Sequence, residues 1–179
     1  MRAWHDLRFT QRQILMSSIA LSRKVLTLTG RMSMFRASIL TDRSFIAQVE
    51  NDSIDHWRLG RFKFLTGDDK STWFWLLKNG WDMLYVPDVV IRTVEHPPSE
   101  HFVKASTQLM FRWFGNMLRT NGRAIKIGPL RAGLFPWWCV VDQRISMWTA
   151  LMGPVFAIFL AFEHSLTFIP IYLVWVGFT

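Results

Sequence analysis

The order of apolar and polar positions predicts several short strands in the first two thirds of this 179-residue chain. "VLTLTG" (25–30) has the β-branched alternation of a strand and ends in a glycine turn. "RFKFL" (61–65) alternates apolar and basic residues, as a half-buried strand does. The remaining extended candidates are "MSMFR" (32–36), "DMLYVP" (82–87) and "VVIRTVE" (89–95).

Helices are predicted between these strands. One begins with Thr41 or Asp42 as its cap and runs through "SFIAQVEN". A second, "DKSTWFWLLKN", is closed by Gly80, and a third runs from Ser99 to about Thr120, with a stop at Asn121 and Gly122. The alternation predicts an α/β fold with too few strands for a complete nucleotide-binding domain. A glycine-rich phosphate loop of standard spacing is absent from the sequence.

The last quarter of the chain is apolar, and residues 132–179 contain only three acidic or basic residues, Asp142, Arg144 and Glu163. Residues 145–162 carry no charge, and a helix needs about 20 mostly apolar residues to cross a bilayer. We therefore predict a transmembrane helix over 145–162 and a truncated second span over 166–179. Residues 132–141, with a Trp pair, are expected at the membrane interface. The alternative is a buried helical hairpin of a soluble protein.

Charge predicts which side of the membrane the rest occupies. Residues 101–131 contain six basic residues and no acidic one, which indicates the cytoplasmic side. Residues 1–131 are thus expected to form a cytoplasmic domain, and 132–179 a membrane segment. The net charge of +8 favours an anionic partner. The single cysteine, Cys139, excludes an internal disulfide and a zinc site built from cysteines.

Two adjacent acids, Asp68 and Asp69 in "TGDDKST", precede the second helix. A carboxylate at a helix N-terminus stays ionised and can act as a general base toward a sugar hydroxyl. The same pattern is also typical of a helix cap with an acidic neighbour. The pair alone does not distinguish these alternatives.

Arg112 and Trp113 lie about 40 residues further on, in "QLMFRWFGNMLR". A guanidinium can bind a diphosphate through two hydrogen bonds, and an indole offers a flat face to a sugar ring. The pair could also be an interfacial membrane anchor.

Together these features resemble the processive membrane synthases of glycosyltransferase family 2, which include cellulose and hyaluronan synthases. The resemblance rests on the Gly-Asp-Asp turn, the following helix with "GWDMLYVP", and the Arg-Trp helix leading into apolar segments. Within that family the chain is most similar to the alginate-polymerising mannuronan synthases. The stretches that carry this likeness are "LTLTGRMSMFRASI", "LTGDDKSTWFWLL", "TVEHPP", "LMFRWFGNMLRTNGRA" and "DQRISMWT".

The resemblance implies roles for the two pairs. Asp69 matches the catalytic base and Asp68 a supporting acid near the acceptor. Arg112 and Trp113 match the end of a Gln-x-x-Arg-Trp motif, which implies a diphosphate contact and a platform for the sugar. At the position of the motif's Gln this chain has Leu109, and Gln108 lies one residue earlier. A shift of one residue turns a side chain by about 100 degrees around a helix, so the contact of the motif's Gln is not carried over to this chain.

Three further residues are possible substrate contacts. "GRMSMFR" matches the stretch that lines the acceptor cleft, so Arg31 and Ser33 are candidates, although turn and strand roles fit them as well. His96 in "EHPP" could touch substrate or belong to a structural loop.

The resemblance also implies what precedes this region. Family members carry N-terminal strands that bind the nucleotide and a divalent metal, Mg²⁺ or Mn²⁺, through an Asp-x-Asp motif that is absent here. The expected fold is therefore a partial nucleotide-diphospho-sugar transferase (GT-A-like) domain that lacks its N-terminal nucleotide-binding half, followed by interfacial and transmembrane helices. Such a fragment is expected to be inactive alone.

The implied function is polymerisation of mannuronate from GDP-mannuronate into a β-1,4 chain at the bacterial inner membrane. The implied partners are this donor, the growing polyanionic polysaccharide, the lipid bilayer and a regulatory subunit of an alginate polymerisation and export complex, but no nucleic acid. One alternative is a synthase for another sugar, as in hyaluronan or cellulose synthesis. Another is a non-catalytic, membrane-anchored truncated module.

Overall fold

The computed structural model describes residues 2–28, 32–63, 68–89, 91 and 96–178. They form two compact units, Met1–Val140 and Val141–Thr179. In chain order the elements are α1 (Arg2–Ala20), α2 (Ala37–Leu40), α3 (Arg43–Glu50), β1 (Ser53–His56), β2 (Gly60–Lys63), α4 (Asp68–Lys78), α5 (Phe102–Ile127), α6 (Pro129–Ala132), α7 (Leu134–Glu163) and α8 (Phe168–Phe178).

Helix α4 is the centre of the first unit. All seven of its residues from Ser71 to Leu77 are buried. It packs against α3, α5 and α6, and its Trp73 indole donates a hydrogen bond to the Val25 carbonyl at 2.6 Å. The core around it includes Met16 and Ile19 of α1. Because this helix is covered on all sides, any side chain in its first turn is held on a rigid support.

Local signals place the ends of α3 and α4 as predicted. The Asp42 carboxylate accepts from the backbone N–H groups of Ser44 and Phe45, so it caps α3. The Ser44 hydroxyl also donates to this carboxylate. This bond, which has the largest effect, and the two backbone bonds lower the pKa of Asp42. Beyond the end of α4, Gly80 has a φ of +75°, and Trp81 N–H donates to the Leu76 carbonyl at 3.0 Å. This left-handed cap confirms the predicted role of Gly80.

The predicted α/β fold is confirmed only in part, because the described residues are mostly helical. They contain one two-stranded antiparallel hairpin, β1 and β2, in which Ser53 pairs with Lys63 and His56 with Gly60. Strand β2 confirms the start of the strand predicted over 61–65, whereas β1 was missed. The described parts of the other four candidates, 25–28, 32–36, 82–87 and 89 with 91, are irregular.

Two of these irregular segments run beside each other without forming a sheet. Met83 N–H donates to the Arg23 carbonyl at 2.9 Å. The Lys24 ammonium donates to the carbonyls of Gly80 and Trp81, at 3.0 and 2.6 Å. Among the described residues, the two segments therefore meet through one backbone bond and one side chain, and not through the repeated backbone bonds of a strand ladder.

Helix α5 passes through its predicted stop and ends at Ile127, before Gly128 with a φ of +84°. Thr120, Asn121 and Ala124 are all buried. Packing of this face stabilises the helix across Gly122, whose own helix propensity is low.

The second unit and the end of the first contain the apolar helices α7 and α8. Within the described residues, no single helix is both long enough and apolar enough to span a membrane. One bent pair, Leu134–Thr149 with Leu151–Glu163, could do so by length and composition. The predicted segments 132–141 and 145–162, and the described part of 166–179, thus lie mostly in α6, α7 and α8, and their relation to a bilayer stays a prediction.

Candidate active site

Asp68 and Asp69 lie in the first turn of α4, as predicted. Asp68 is exposed, and its carboxylate accepts from the backbone N–H of Asp69 at 3.0 Å. Asp69 is half-buried, and its carboxylate accepts no hydrogen bond from the described residues. Asp68 therefore has a local hydrogen bond, whereas the part of the chain that the structure describes supplies no donor to Asp69. Of the two, Asp69 is the better placed to receive a proton.

Lys70 follows Asp69 and points to another part of the chain. Its ammonium donates to the Thr27 hydroxyl. Burial lowers the pKa of Lys70 to about 8, with Asp69 opposing the shift and Arg12 adding to it. The Arg12 guanidinium in turn donates to the Leu28 carbonyl at 3.5 Å. Lys70 of α4 thus lies beside Asp69, and Arg12 of α1 lies near Lys70; sequence reasoning did not predict these two cations.

Arg112 and Trp113 lie in the middle of α5 and differ in their surroundings. The buried face of α5 is formed by Ala105, Leu109, Asn116, Thr120, Asn121 and Ala124. Trp113 follows Leu109 by four residues and is half-buried on the edge of this face, whereas Arg112 is exposed. At the Gln position of the motif, Leu109 is buried and the neighbouring Gln108 is exposed. The position matching the motif's Gln is therefore a core position in this chain.

Helix α1 connects the surroundings of the two pairs. Arg8 and Arg12 are one turn apart on α1, about 6 Å along its axis. Arg8 contacts the Met110 sulfur of α5 at 3.9 Å, two residues before Arg112. Arg12 contacts Leu28, next to the Thr27 that binds Lys70. Two arginines of α1 therefore contact residues close in sequence to the two pairs, Arg8 beside the Arg-Trp segment and Arg12 beside the partner of Lys70.

The other predicted contacts are less informative. Arg31 lies outside the described residues. Ser33 is exposed in the irregular segment 32–36. His96 is exposed and forms no hydrogen bond or ion pair with another described residue. Their roles stay predictions.

A buried carboxylate that sequence reasoning missed lies between three helices. Asp52 is 3% exposed, just after α3. It accepts from Gln48 Nε2 at 2.6 Å, from the Ser71 hydroxyl and from Arg123 Nη1 at 2.8 Å. The Arg123 guanidinium also lies 3.8 Å from the centre of the Phe74 ring. This network joins α3, α4 and α5.

An open groove of about 680 Å³ lies beside this network. Its lining is mainly polar and includes Asp55, Arg61, Lys78, Asn79 and, at its base, the Asp52 and Arg123 pair. A second, apolar groove of about 480 Å³ runs along α5 past Met110 and Phe114. Asp68 and Asp69 line neither groove, so these cavities did not identify the predicted base.

Within the described ranges, no group of three or more His, Cys, Asp or Glu is arranged to hold a metal ion.

Comparison with known proteins gives the family. The family model described as "Glycosyltransferase like family 2" matches residues 1–116. The chain is 56% identical over 179 residues to the glycosyltransferase alg8 of Pseudomonas syringae pv. tomato, covering 100% of this chain and 36% of that protein. It is 59% identical over 171 residues to the glycosyltransferase alg8 of Azotobacter vinelandii, covering 96% of this chain and 35% of that protein. No solved structure gives a significant match.

The chain thus spans about a third of the length of the curated relatives it matches. The family match covers more than half of the chain, and it includes both the first turn of α4 and the Arg-Trp pair of α5. On this evidence the chain belongs to the glycosyltransferase-like family 2.

Proposed function

We propose that this chain is part of a membrane-embedded, inverting glycosyltransferase that polymerises mannuronate from GDP-mannuronate into β-1,4 mannuronan during alginate biosynthesis. Membership of the family supports transfer from a nucleotide sugar to a growing polysaccharide. The two relatives named as glycosyltransferases support the same activity. The choice of mannuronate rests on the sequence resemblance described above.

The observation that carries the proposal is the state of Asp69. A half-buried carboxylate without a hydrogen-bond donor among the described residues, in the first turn of a fully packed helix, suits a general base. Asp69 would remove the proton from the 4-hydroxyl of the acceptor sugar as that oxygen attacks the anomeric carbon of the donor. The new glycosidic C–O bond forms, the bond from the anomeric carbon to the GDP oxygen breaks, and GDP leaves.

Arg112 and Trp113 are assigned to binding. The exposed guanidinium of Arg112 can pair with a diphosphate through two N–H groups. The indole of Trp113, fixed on the edge of the packed face of α5, can stack on a sugar ring. Arg31, Ser33 and His96 are proposed as further contacts to substrate.

The charge of the chain fits this substrate. The donor, the product and the inner face of the bacterial membrane are all anionic, and the chain carries a net charge of +8. We propose that residues 1–131 lie on the cytoplasmic side and that the helices after residue 131 lie at or in the inner membrane. A regulatory subunit of the polymerisation and export complex is the proposed protein partner.

The first experiment tests Asp69 in membranes that contain the full-length protein, supplied with GDP-mannuronate. Replacing Asp69→Asn keeps the shape of the side chain and removes the base, so polymer synthesis should fall by at least about a hundredfold. The matched control is Asp88→Asn, which changes an exposed turn residue and should keep normal synthesis. Polymer at normal yield from Asp69→Asn would remove this residue from the mechanism.

A second experiment identifies the sugar. The same membranes are supplied in parallel with GDP-mannuronate and with the donors of hyaluronan and cellulose synthesis. Incorporation from GDP-mannuronate alone is expected. Polymer from another donor would assign the chain to a different synthase, and no polymer from any donor would favour the non-catalytic module.

A further inference from the structure

The helix of the proposed base and the helix of the Arg-Trp pair are joined through one buried carboxylate. Asp52 receives hydrogen bonds from α3 through Gln48, from α4 through Ser71 and from α5 through Arg123. Its side chain is only 2% exposed, and that of Arg123 is 17% exposed. A charge this deeply buried needs all of these partners, so the three helices cannot shift independently without breaking one of them.

Ser71 and Phe74 lie within two turns of the proposed base on α4, whereas Arg123 lies further from Arg112 on α5. Ser71 is two residues after Asp69 on α4, and Phe74, which the Arg123 guanidinium covers, is five residues after it. Arg123 is eleven residues after Arg112 on the continuous helix α5, about 16 Å along its axis. A rotation of α4 about its own axis would therefore move Asp69 and strain the bond from Ser71 at the same time.

Packing alone does not require an ion pair at this place. Apolar residues of similar volume can replace a buried ion pair without loss of stability. Apolar contacts do not fix the relative orientation of two helices. A carboxylate does, because its hydrogen bonds set the angle as well as the distance of each donor. The Asp52 network therefore adds orientation to an interface that apolar contacts would hold together without it.

We propose that Asp52, with Arg123, is a positioning pair that sets the spacing and rotation of α4 against α5, and so aligns Asp69 with Arg112 and Trp113 for glycosyl transfer. This inference rests on the proposed function. Neither Asp52 nor Arg123 touches the reacting atoms in this scheme.

The test removes the directional hydrogen bonds of Asp52 and Arg123 and keeps the volume of the two side chains. The double variant Asp52→Leu with Arg123→Met is prepared in the full-length protein. The matched control is Asp55→Leu with Arg61→Met, an ion pair of 3.9 Å on the neighbouring hairpin whose side chains are 83% and 73% exposed. Thermal unfolding in detergent shows first that both proteins remain folded. If the double variant does not fold, Arg123→Lys, which keeps the charge but loses the guanidinium geometry, takes its place.

Two readouts are then compared. One is kcat for polymer synthesis, because a base misplaced by about 1 Å can cost roughly a hundredfold in rate. The other is the distance distribution between spin labels at Lys78→Cys on α4 and Lys104→Cys on α5, with Cys139 and any other native cysteine of the full-length protein replaced by serine. Both labelled positions are exposed, and this second readout does not depend on activity.

The expected result is a shifted or broadened distance distribution together with a fall in kcat of at least about tenfold, both absent from the control. An unchanged distribution would overturn the inference whatever happens to kcat. A changed distance distribution with a normal kcat would also overturn the inference. The variant Asp69→Asn is measured in the same experiment. If it still makes polymer, the proposed role of Asp69 fails. The inference that Asp52 positions Asp69 then fails as well, even if the distance between the helices has changed.

Discussion

Helices α4 and α8 have the same length, 11 residues, and opposite surroundings. In α4 a run of seven consecutive residues is buried, although the helix begins with two acids and ends with a lysine. In α8, which contains no charged residue, Leu173, Val174 and Trp175 are 63%, 61% and 68% exposed. The more apolar helix is therefore the less covered one.

The difference shows that apolar composition does not bury a helix; neighbouring elements do. Around α4 these neighbours are α3, α5, α6 and the segment at Val25. An apolar surface as extended as that of α8 is rare in water, and lipid is the solvent in which it costs nothing. The comparison thus supports the proposal that the chain divides into a water-facing and a membrane-facing part.

The largest expected effect on stability comes from truncating the Trp73 side chain in the middle of α4. Trp73 is 1% exposed and donates to the Val25 carbonyl. Trp73→Ala should lower the free energy of unfolding by about 4 kcal/mol, through the cavity and the lost hydrogen bond. Thermal unfolding of the protein in detergent measures this. Trp175→Ala in α8 is the matched control and should change the unfolding temperature little; equal losses would mean that α8 is packed as tightly as α4.

The same contrast explains which parts of the fold could be predicted from sequence. For α4, acids in the first turn, Lys78 in the last turn and Gly80 after it agree with the packing, so both its existence and its end were predicted correctly. For 25–28 and 82–87, apolar alternation indicated half-burial but not what would pair with the backbone. In the structure these segments meet through the Met83 to Arg23 backbone bond and the Lys24 side chain, and not through a strand ladder.

In the candidate site, too, only features that are local in the sequence could be predicted from it. Asp68, Asp69, Arg112 and Trp113 could be proposed from the sequence because each pair is contiguous and stands in a recognisable motif. The bond between Asp52 and Arg123 joins residues 71 positions apart, and only folding brings them together. One local signal was present: Gln48 and Asp52 are four residues apart, a spacing at which side chains can meet on a helix face.

A charge placed in α8 tests its environment directly. Val174→Arg should cost about 3 kcal/mol of membrane insertion if this helix lies in the hydrocarbon region. The measurement is the fraction of protein that resists alkaline carbonate extraction from membranes. Leu21→Arg, at a residue 87% exposed in the first unit, is the control and should extract like the unchanged protein. Unaltered membrane retention of Val174→Arg would place α8 outside the bilayer.

The smallest expected effect concerns the polar end of α4, a feature that α8 lacks. Burial lowers the pKa of Lys70 to about 8, while Asp69 raises it and Arg12 lowers it further. The unfolded chain, with a lysine pKa of about 10.4, then binds more protons than the folded chain between these values. Stability should therefore rise with pH there, by about 2 kcal/mol from pH 8 to pH 9.5.

This rise should disappear in Lys70→Met and persist in Lys78→Met, an exposed lysine on the same helix. Denaturant unfolding of all three proteins at pH 7, 8, 9 and 9.5 measures it, and taking differences between proteins cancels the titration of other lysines and tyrosines. If Lys70→Met shows the same slope as the unchanged protein, then Lys70 is hydrated rather than buried against Thr27. The cationic surroundings of Asp69 would then be open to solvent, in contrast to the packed helix that carries it.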